Sequence, residues 1–194
     1  MIRFLYKRYR KRTDEELMEC IRRNDDNGAF DELYCRYSRR LQGFFYRMLN
    51  GDEMSVSDFS QDTFLKVWSS RERYIPGTTF RPWLFTIAYN LCRNEYHHRE
   101  HENNYNEDLS HSFSESIDEN YESKLDNEAL VCALDKEVRN FSEDNRTLFA
   151  LRFEEDMSIK DIAQVMEIPE GTVKSRLHKL IYTLKERLKT YETI

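Results

Sequence analysis

Apolar residues recur along this chain at three- and four-residue steps, and each run ends at a recognisable break, so the pattern predicts helices joined by short turns. Thr13 with Glu16 forms a capping signal, and Leu17, Met18, Cys20 and Ile21 make a short first helix that stops near the NDDNG turn. From Ala29 to Leu49, a stripe of Phe30, Leu33, Tyr34, Tyr37, Leu41, Phe44, Phe45 and Met48 is long enough for about five helical turns. Asn50, Gly51 and Asp52 interrupt it. The next helix, Val56 to Trp68, turns Val56, Phe59, Thr63, Phe64, Val67 and Trp68 inward. Its outer face carries Asp58, Gln61, Asp62 and Leu65 one turn apart, and a large apolar residue among acids and an amide has the composition of a partner surface.

A loop from Ser69 to Phe80, SSRERYIPGTTF, holds Pro76 and Gly77, and a helix restarts at Arg81-Pro82. Trp83, Leu84, Ile87, Ala88 and Leu91 then face the core, with Thr86, Tyr89, Asn90, Arg93 and His97 opposite. Between His101 and Lys124 there are seven acids against one lysine and few apolar residues, the composition of a linker. Order returns over Leu125 to Val138, and a helix through Leu148, Phe149, Leu151 and Phe153 supports the last segment of the chain.

Ser158 to Lys189 reads as two helices around a tight turn. Ser158 and Asp161 cap the first, which turns Ile159, Ile162, Ala163 and Met166 to one side. Glu167 and Ile168 form the turn, and Pro169 suits the first position of the second helix because the amide it lacks would be unpaired there. A left-handed backbone at Glu167, where glycine is common in such turns, would cost roughly 1 kcal/mol. Val173, Leu177, Leu180 and Leu184 pack inward. The opposite face presents Lys174, Ser175, His178 and Lys179, with Thr172 and Arg176 at its edges, as a recognition helix presents its early turns to the major groove.

Charge sharpens this reading. The 194 residues carry 36 acids and 30 bases, a net charge of -6, yet Thr172 to Lys189 holds six Lys or Arg and one acid. A chain with this net charge and a mean hydropathy of -0.83 fits a soluble, cytoplasmic protein and not one that coats nucleic acid indiscriminately. Only 5 Gly and 3 Pro, with no alternating β-branched run, predict an all-α fold. The cysteines at 20, 35, 92 and 132 form no Cys-x-x-Cys pair, so reduced thiols are expected rather than a zinc knuckle or disulfides. The basic start, MIRFLYKRYRKR, lacks the apolar run of a signal peptide and is either a solvated arm or a contact for nucleic acid or acidic lipid. Cys92, His97, His98 and His101 come nearest to a metal site, but no further ligand completes them. With no glycine-rich phosphate loop or nucleophile elbow, neither cofactor nor catalysis is expected.

DFSQDTFLKVW (58–68), FRPWLFTIAYNLCRNE (80–95) and IPEGTVKSRLHKL (168–180) together make the chain resemble bacterial RNA polymerase sigma factors of the extracytoplasmic-function type, which keep only the second and fourth sigma regions. The resemblance implies two small helical domains on an acidic linker: a basic arm at 1–12, region 2 at 13–100, the linker at 101–124, and region 4 at 125–194. It implies that Asp58, Gln61, Asp62 and Leu65 meet the clamp helices of the polymerase largest subunit, with region 4 near its flap. Tyr74, Thr86, Tyr89, Asn90, Arg93 and His97 would handle the promoter -10 element as a displaced single strand, an inconsequential exposed Tyr89 being the alternative. Lys174, Ser175, His178 and Lys179 would meet base edges of the -35 duplex, and Ser158, Thr172 and Arg176 its phosphates. Implied partners are core RNA polymerase, promoter DNA and an anti-sigma factor, often membrane-bound; the chain would be monomeric when free. The linker is either a passive tether or a segment lying in a cationic channel of the polymerase. A free-standing helix-turn-helix regulator explains the last third of the chain but leaves the rest idle.

Overall fold

The computed structural model describes residues 9–49, 52–105 and 127–189, which form helices and turns with no strand among them. The first helix, α1 (Asp14–Asn24), starts at the expected capping box: Thr13 Oγ1 accepts from the Glu16 amide at 3.2 Å, and the Glu16 carboxylate accepts from the Thr13 amide at 2.9 Å. It ends at Asp25, whose φ of 48° is left-handed. Asp26 caps α2 (Asn27–Met48), accepting from the Ala29 amide at 3.1 Å. This helix is the pillar of the N-terminal body, with Leu33, Tyr37, Leu41, Phe44, Phe45 and Met48 buried. Against it pack α1, α3 (Glu53–Ser69) and α4 (Phe80–Tyr105). Aromatic edges lock these helices together: Phe44 meets Phe85 edge-on at 5.5 Å, and Tyr37 meets Phe80 in the same way at the same separation.

Helix α4 runs five residues past the boundary expected at 100, and residues 106–126, which hold most of the expected linker, lie outside the described residues. The first eight residues of the basic arm do too. The C-terminal body consists of α5 (Asn127–Arg139), α6 (Glu143–Phe149), α7 (Ile159–Met166) and α8 (Glu170–Leu188). A single π-turn over Ala150–Glu154 prolongs α6, so the helix expected through Phe153 changes pitch after Phe149. Ser158 and Asp161 form the second capping box. Glu167 is left-handed at φ 55°, and Ile168 N–H closes the turn on Ala163 O at 3.1 Å. Pro169 departs from its expected place. Its ψ of 144° makes it the extended residue before α8 rather than the first helical one.

The two bodies touch. Helix α7 packs along α4 and α6 against α2, the Thr147 hydroxyl approaches Met48 Sδ at 3.3 Å, and the buried apolar residues of both bodies form one continuous core. Among the described residues no helix is long and apolar enough to cross a membrane.

Candidate nucleic-acid interface

Three faces carry the residues singled out by the sequence. The outer face of α3 is open: Asp58, Gln61 and Asp62 are exposed, and Leu65 is 65 % exposed. Among the described residues neither Asp58 nor Asp62 forms an ion pair, whereas Gln61 donates to Ser57 Oγ at 3.2 Å. Sequence reasoning missed Met54, 80 % exposed, which lies one turn before Asp58 on the same side and enlarges the apolar part of this face. A methionine outside the core stripe was the available signal.

On α4, Thr86, Tyr89, Asn90, Arg93 and His97 share one side, but they are not equally accessible. Arg93 and His97 are exposed, Asn90 is half-buried, and the Thr86 hydroxyl donates back to Pro82 O at 2.8 Å. Tyr89 was expected to be outward-facing and is only 9 % exposed. Glu143, Asp144 and Thr147 of α6 share a cleft of about 200 Å³ with Tyr89, Arg93, Tyr96 and His97. Burial, then the Asp144 carboxylate, pushes the Tyr89 phenol above its ordinary pKa, against the pull of Arg93 and Arg176.

Tyr74 requires a correction. Expected to present its ring to DNA, it is 2 % exposed, packs edge-on to Trp83 at 5.2 Å, and donates its hydroxyl to Thr78 O. The loop between α3 and α4 is short and its chain reverses at Gly77 (φ 84°), so one of its aromatics closes the core while Ile75 stays exposed. Tyr74→Phe should therefore lower stability by about 1 kcal/mol in a denaturant melt, with discrimination among -10 sequences unchanged. Altered discrimination would return this ring to the DNA. Beside the loop, a cleft of about 270 Å³ gathers Lys66, Ser69, Ser70, Arg73, Asn90 and Asn94. Lys66, Arg73 and Asn94 were missed, because cations and amides on separate elements show no common period.

The third face is on α8. Lys174, Ser175, His178 and Lys179 are exposed, and Thr172 and Arg176 are half-buried at the edges, as the periodicity implied. Two hydroxyls have prior commitments: Ser175 donates to Thr172 O at 3.0 Å, and Ser158 donates to Asp161 Oδ2 at 2.7 Å. Arg176 is held by Asp144, Nη1 to Oδ2 at 2.7 Å. As for metal, no group of three or more His, Cys, Asp or Glu among the described residues could hold an ion. Burial also pushes the Cys92 thiol up, which keeps it protonated and a poor ligand.

Two stretches of the chain match known families. Residues 33–102 match the family model for sigma-70 region 2, and residues 133–184 that for sigma-70 region 4. The chain is 33 % identical over 168 residues to the RNA polymerase sigma factor CarQ of Myxococcus xanthus, covering 86 % of this chain and 92 % of that one. It is 30 % identical over 175 residues to the ECF RNA polymerase sigma-E factor of Haemophilus influenzae, covering 86 % and 90 %. Among solved structures, the fold is shared with the sigma factor RpoE in complex with the anti-sigma factor NepR from Bartonella quintana (TM-score 0.67, 24 % identity, 82 % of this chain and 96 % of that one). It is shared as well with CnrH in complex with the cytosolic domain of CnrY (TM-score 0.67, 20 % identity, 91 % and 97 %).

Proposed function

The chain belongs to the extracytoplasmic-function family of RNA polymerase sigma factors, as an alternative sigma factor that directs promoter-specific transcription, and we propose how its three faces divide that work. Region 2 corresponds to 13–100 and region 4 to 125–194. The α3 face, Asp58, Gln61, Asp62 and Leu65 with Met54 added, grips the clamp helices of the polymerase largest subunit. Exposed carboxylates steer the encounter and Leu65 supplies the apolar anchor, the usual split between rim charge and buried centre.

The α4 face and the loop before it take the displaced -10 strand. Lys66, Arg73 and Arg93 follow its backbone, Asn90 and Asn94 offer amides to base edges, and His97 and Tyr89 supply rings for stacking, worth about 1 to 3 kcal/mol per base. Thr86 lines the face without a spare donor. The α8 face reads the -35 duplex: Lys174, Ser175, His178 and Lys179 toward base edges, and Ser158, Thr172 and Arg176 toward phosphates. Two or three such contacts, each discriminating by about 1 to 3 kcal/mol, cannot select a promoter from a genome. Joined to polymerase and to the -10 contact they can, because the second contact becomes intramolecular. Nucleotide chemistry stays with the polymerase. An anti-sigma factor, membrane-bound as is common in this family, restrains the chain in the cytoplasm by covering the α3 face.

The observation that carries this reading is Leu65, 65 % exposed one turn beyond acids that form no ion pair among the described residues. A regulator that acts alone has no use for such a face. Footprinting tests the choice: the isolated protein should leave promoter DNA unprotected at concentrations where the same protein with core polymerase protects both elements. Nanomolar protection of a palindrome by the protein alone would establish the regulator instead.

A further inference from the structure

Helix α1 contributes to none of the three faces, yet it holds the loop between α3 and α4 at both ends. Where the loop begins, Arg71 opens a single 3-10 turn, Arg71–Arg73. Its guanidinium is fixed on three sides. Nε donates to Asp25 Oδ1 at 2.7 Å, Nη1 donates to Trp68 O at 2.8 Å, and the flat group stands over the Trp68 ring, 5.1 Å from its centroid. Asp25 is the left-handed residue just past α1, and Trp68 is itself held edge-on to Phe30 at 5.3 Å. Where the loop ends, the Phe80 amide donates to Glu15 Oε1 at 3.1 Å. Phe80 is the first residue of α4 and fully buried, so its N–H is one of the orphan donors of a helix start, and a carboxylate is a strong acceptor there.

Glu15 and Asp25 stand at opposite ends of α1, so one rigid element sets the separation of the two ends of the loop. Between these holds the loop is fixed from within: Tyr74 is buried with its hydroxyl on Thr78 O, Thr78 Oγ1 donates to Ile75 O at 2.7 Å, and the chain reverses at Gly77. The cleft described above takes one wall from the end of α3 and the loop, through Lys66, Ser69, Ser70 and Arg73, and the other from α4, through Asn90 and Asn94. Arg71 places the first wall and Glu15 the second.

Resting on the assignment of this loop and α4 to the -10 strand, we infer that Glu15, Asp25 and Arg71 are positioning residues for promoter reading: through them α1 braces the cleft in its strand-binding shape before DNA arrives. Base discrimination then depends on side chains that touch no base. A cleft already in shape loses little freedom on binding, whereas a loosened one binds with its intrinsic affinity multiplied by the fraction still in shape. Contacts to the strand backbone carry no sequence information and survive loosening better than contacts to base edges. The mark of a broken brace is therefore lost discrimination.

The test is run-off transcription by the full chain with core polymerase on two templates: a promoter the protein uses, and the same promoter with its -10 bases substituted. Glu15→Ala or Arg71→Ala should lower the ratio of initiation on the two about tenfold, as when roughly one-tenth of the clefts keep their shape, with assembly unchanged. Glu15→Gln keeps an acceptor at the same reach and should keep the wild-type ratio. Asp25→Asn separates positioning from contact, because asparagine tolerates the left-handed backbone and Arg71 becomes a free cation. If Arg71 met phosphate, initiation would rise on both templates; as a positioning residue it should cost discrimination, by about threefold because its contacts with Trp68 remain. This variant also decides the outcome if the alanine variants do not melt cooperatively. A wild-type ratio in folded variants, equal loss on both templates, a gain with Asp25→Asn, or a loss with Glu15→Gln as large as with Glu15→Ala overturns the proposal. Asn90→Ala with Arg93→Ala, run alongside, separates the two failures: if that pair also leaves the ratio unchanged, the assignment of α4 to the -10 strand has failed, and if it alone lowers the ratio, the brace has.

Discussion

Asp58→Lys with Asp62→Lys should abolish assembly with core polymerase and leave the fold intact. Both carboxylates are exposed and without an ion pair among the described residues, and the residues that hold α3 to the core, Val56, Thr63, Phe64 and Val67, are on its other side. Surface substitutions of that kind alter stability by about 0.5 kcal/mol or less. At the interface the sign change matters far more, because like charges brought together cost several kcal/mol. A loss of two reversed contacts weakens the complex by more than about 100-fold. Fluorescence anisotropy with labelled core enzyme measures the affinity, and an unchanged thermal melt certifies the fold. Assembly at wild-type affinity would show that polymerase binds elsewhere than on the α3 face.

The second large effect is at the recognition helix. Lys174→Ala with Lys179→Ala should lower -35-dependent initiation by about 30-fold or more, since each base contact is worth about 1 to 3 kcal/mol and two are lost. Assembly with polymerase should be spared. Neither lysine is tied to a carboxylate among the described residues, so their loss removes DNA contacts without loosening region 4. Arg176 differs: its pair with Asp144 makes Arg176→Ala a mixed perturbation and a poorer probe. Equal loss of initiation and assembly in the lysine variant would signal unfolding instead of lost recognition.

What was legible in the chain was what neighbours within four residues encode. Both capping boxes, Thr13 with Glu16 and Ser158 with Asp161, close as their spacing implied, and the left-handed Glu167 comes from a turn too tight for an ordinary backbone. The core stripe of α2, except Tyr34, which is 41 % exposed, and the bare faces of α3 and α8 come from helical period alone. Pro169 was misplaced by one residue, because proline fits either side of a helix start and only ψ separates the two.

The larger failures are tertiary. Tyr74 has an amphipathic side chain in a loop, where no period says which way it points, and Phe80 and Trp83 drew it inward. Tyr89 has the outward phase on its own helix, yet it is covered by a body that arrives from elsewhere in the chain. Arg47 meets Asp135 and Glu154 across sequence separations of 88 and 107 residues, beyond the reach of any local pattern.

Run-off transcription is the decisive assay for a chain that couples polymerase to a promoter: purified protein, core enzyme and a genomic promoter library, with transcripts sequenced at their start sites. Starts should share a -10 and a -35 element at constant spacing, and all should be lost with Asp58→Lys and Asp62→Lys. Starts identical with and without the protein, or unaffected by those two substitutions, would contradict the division of labour among the three faces.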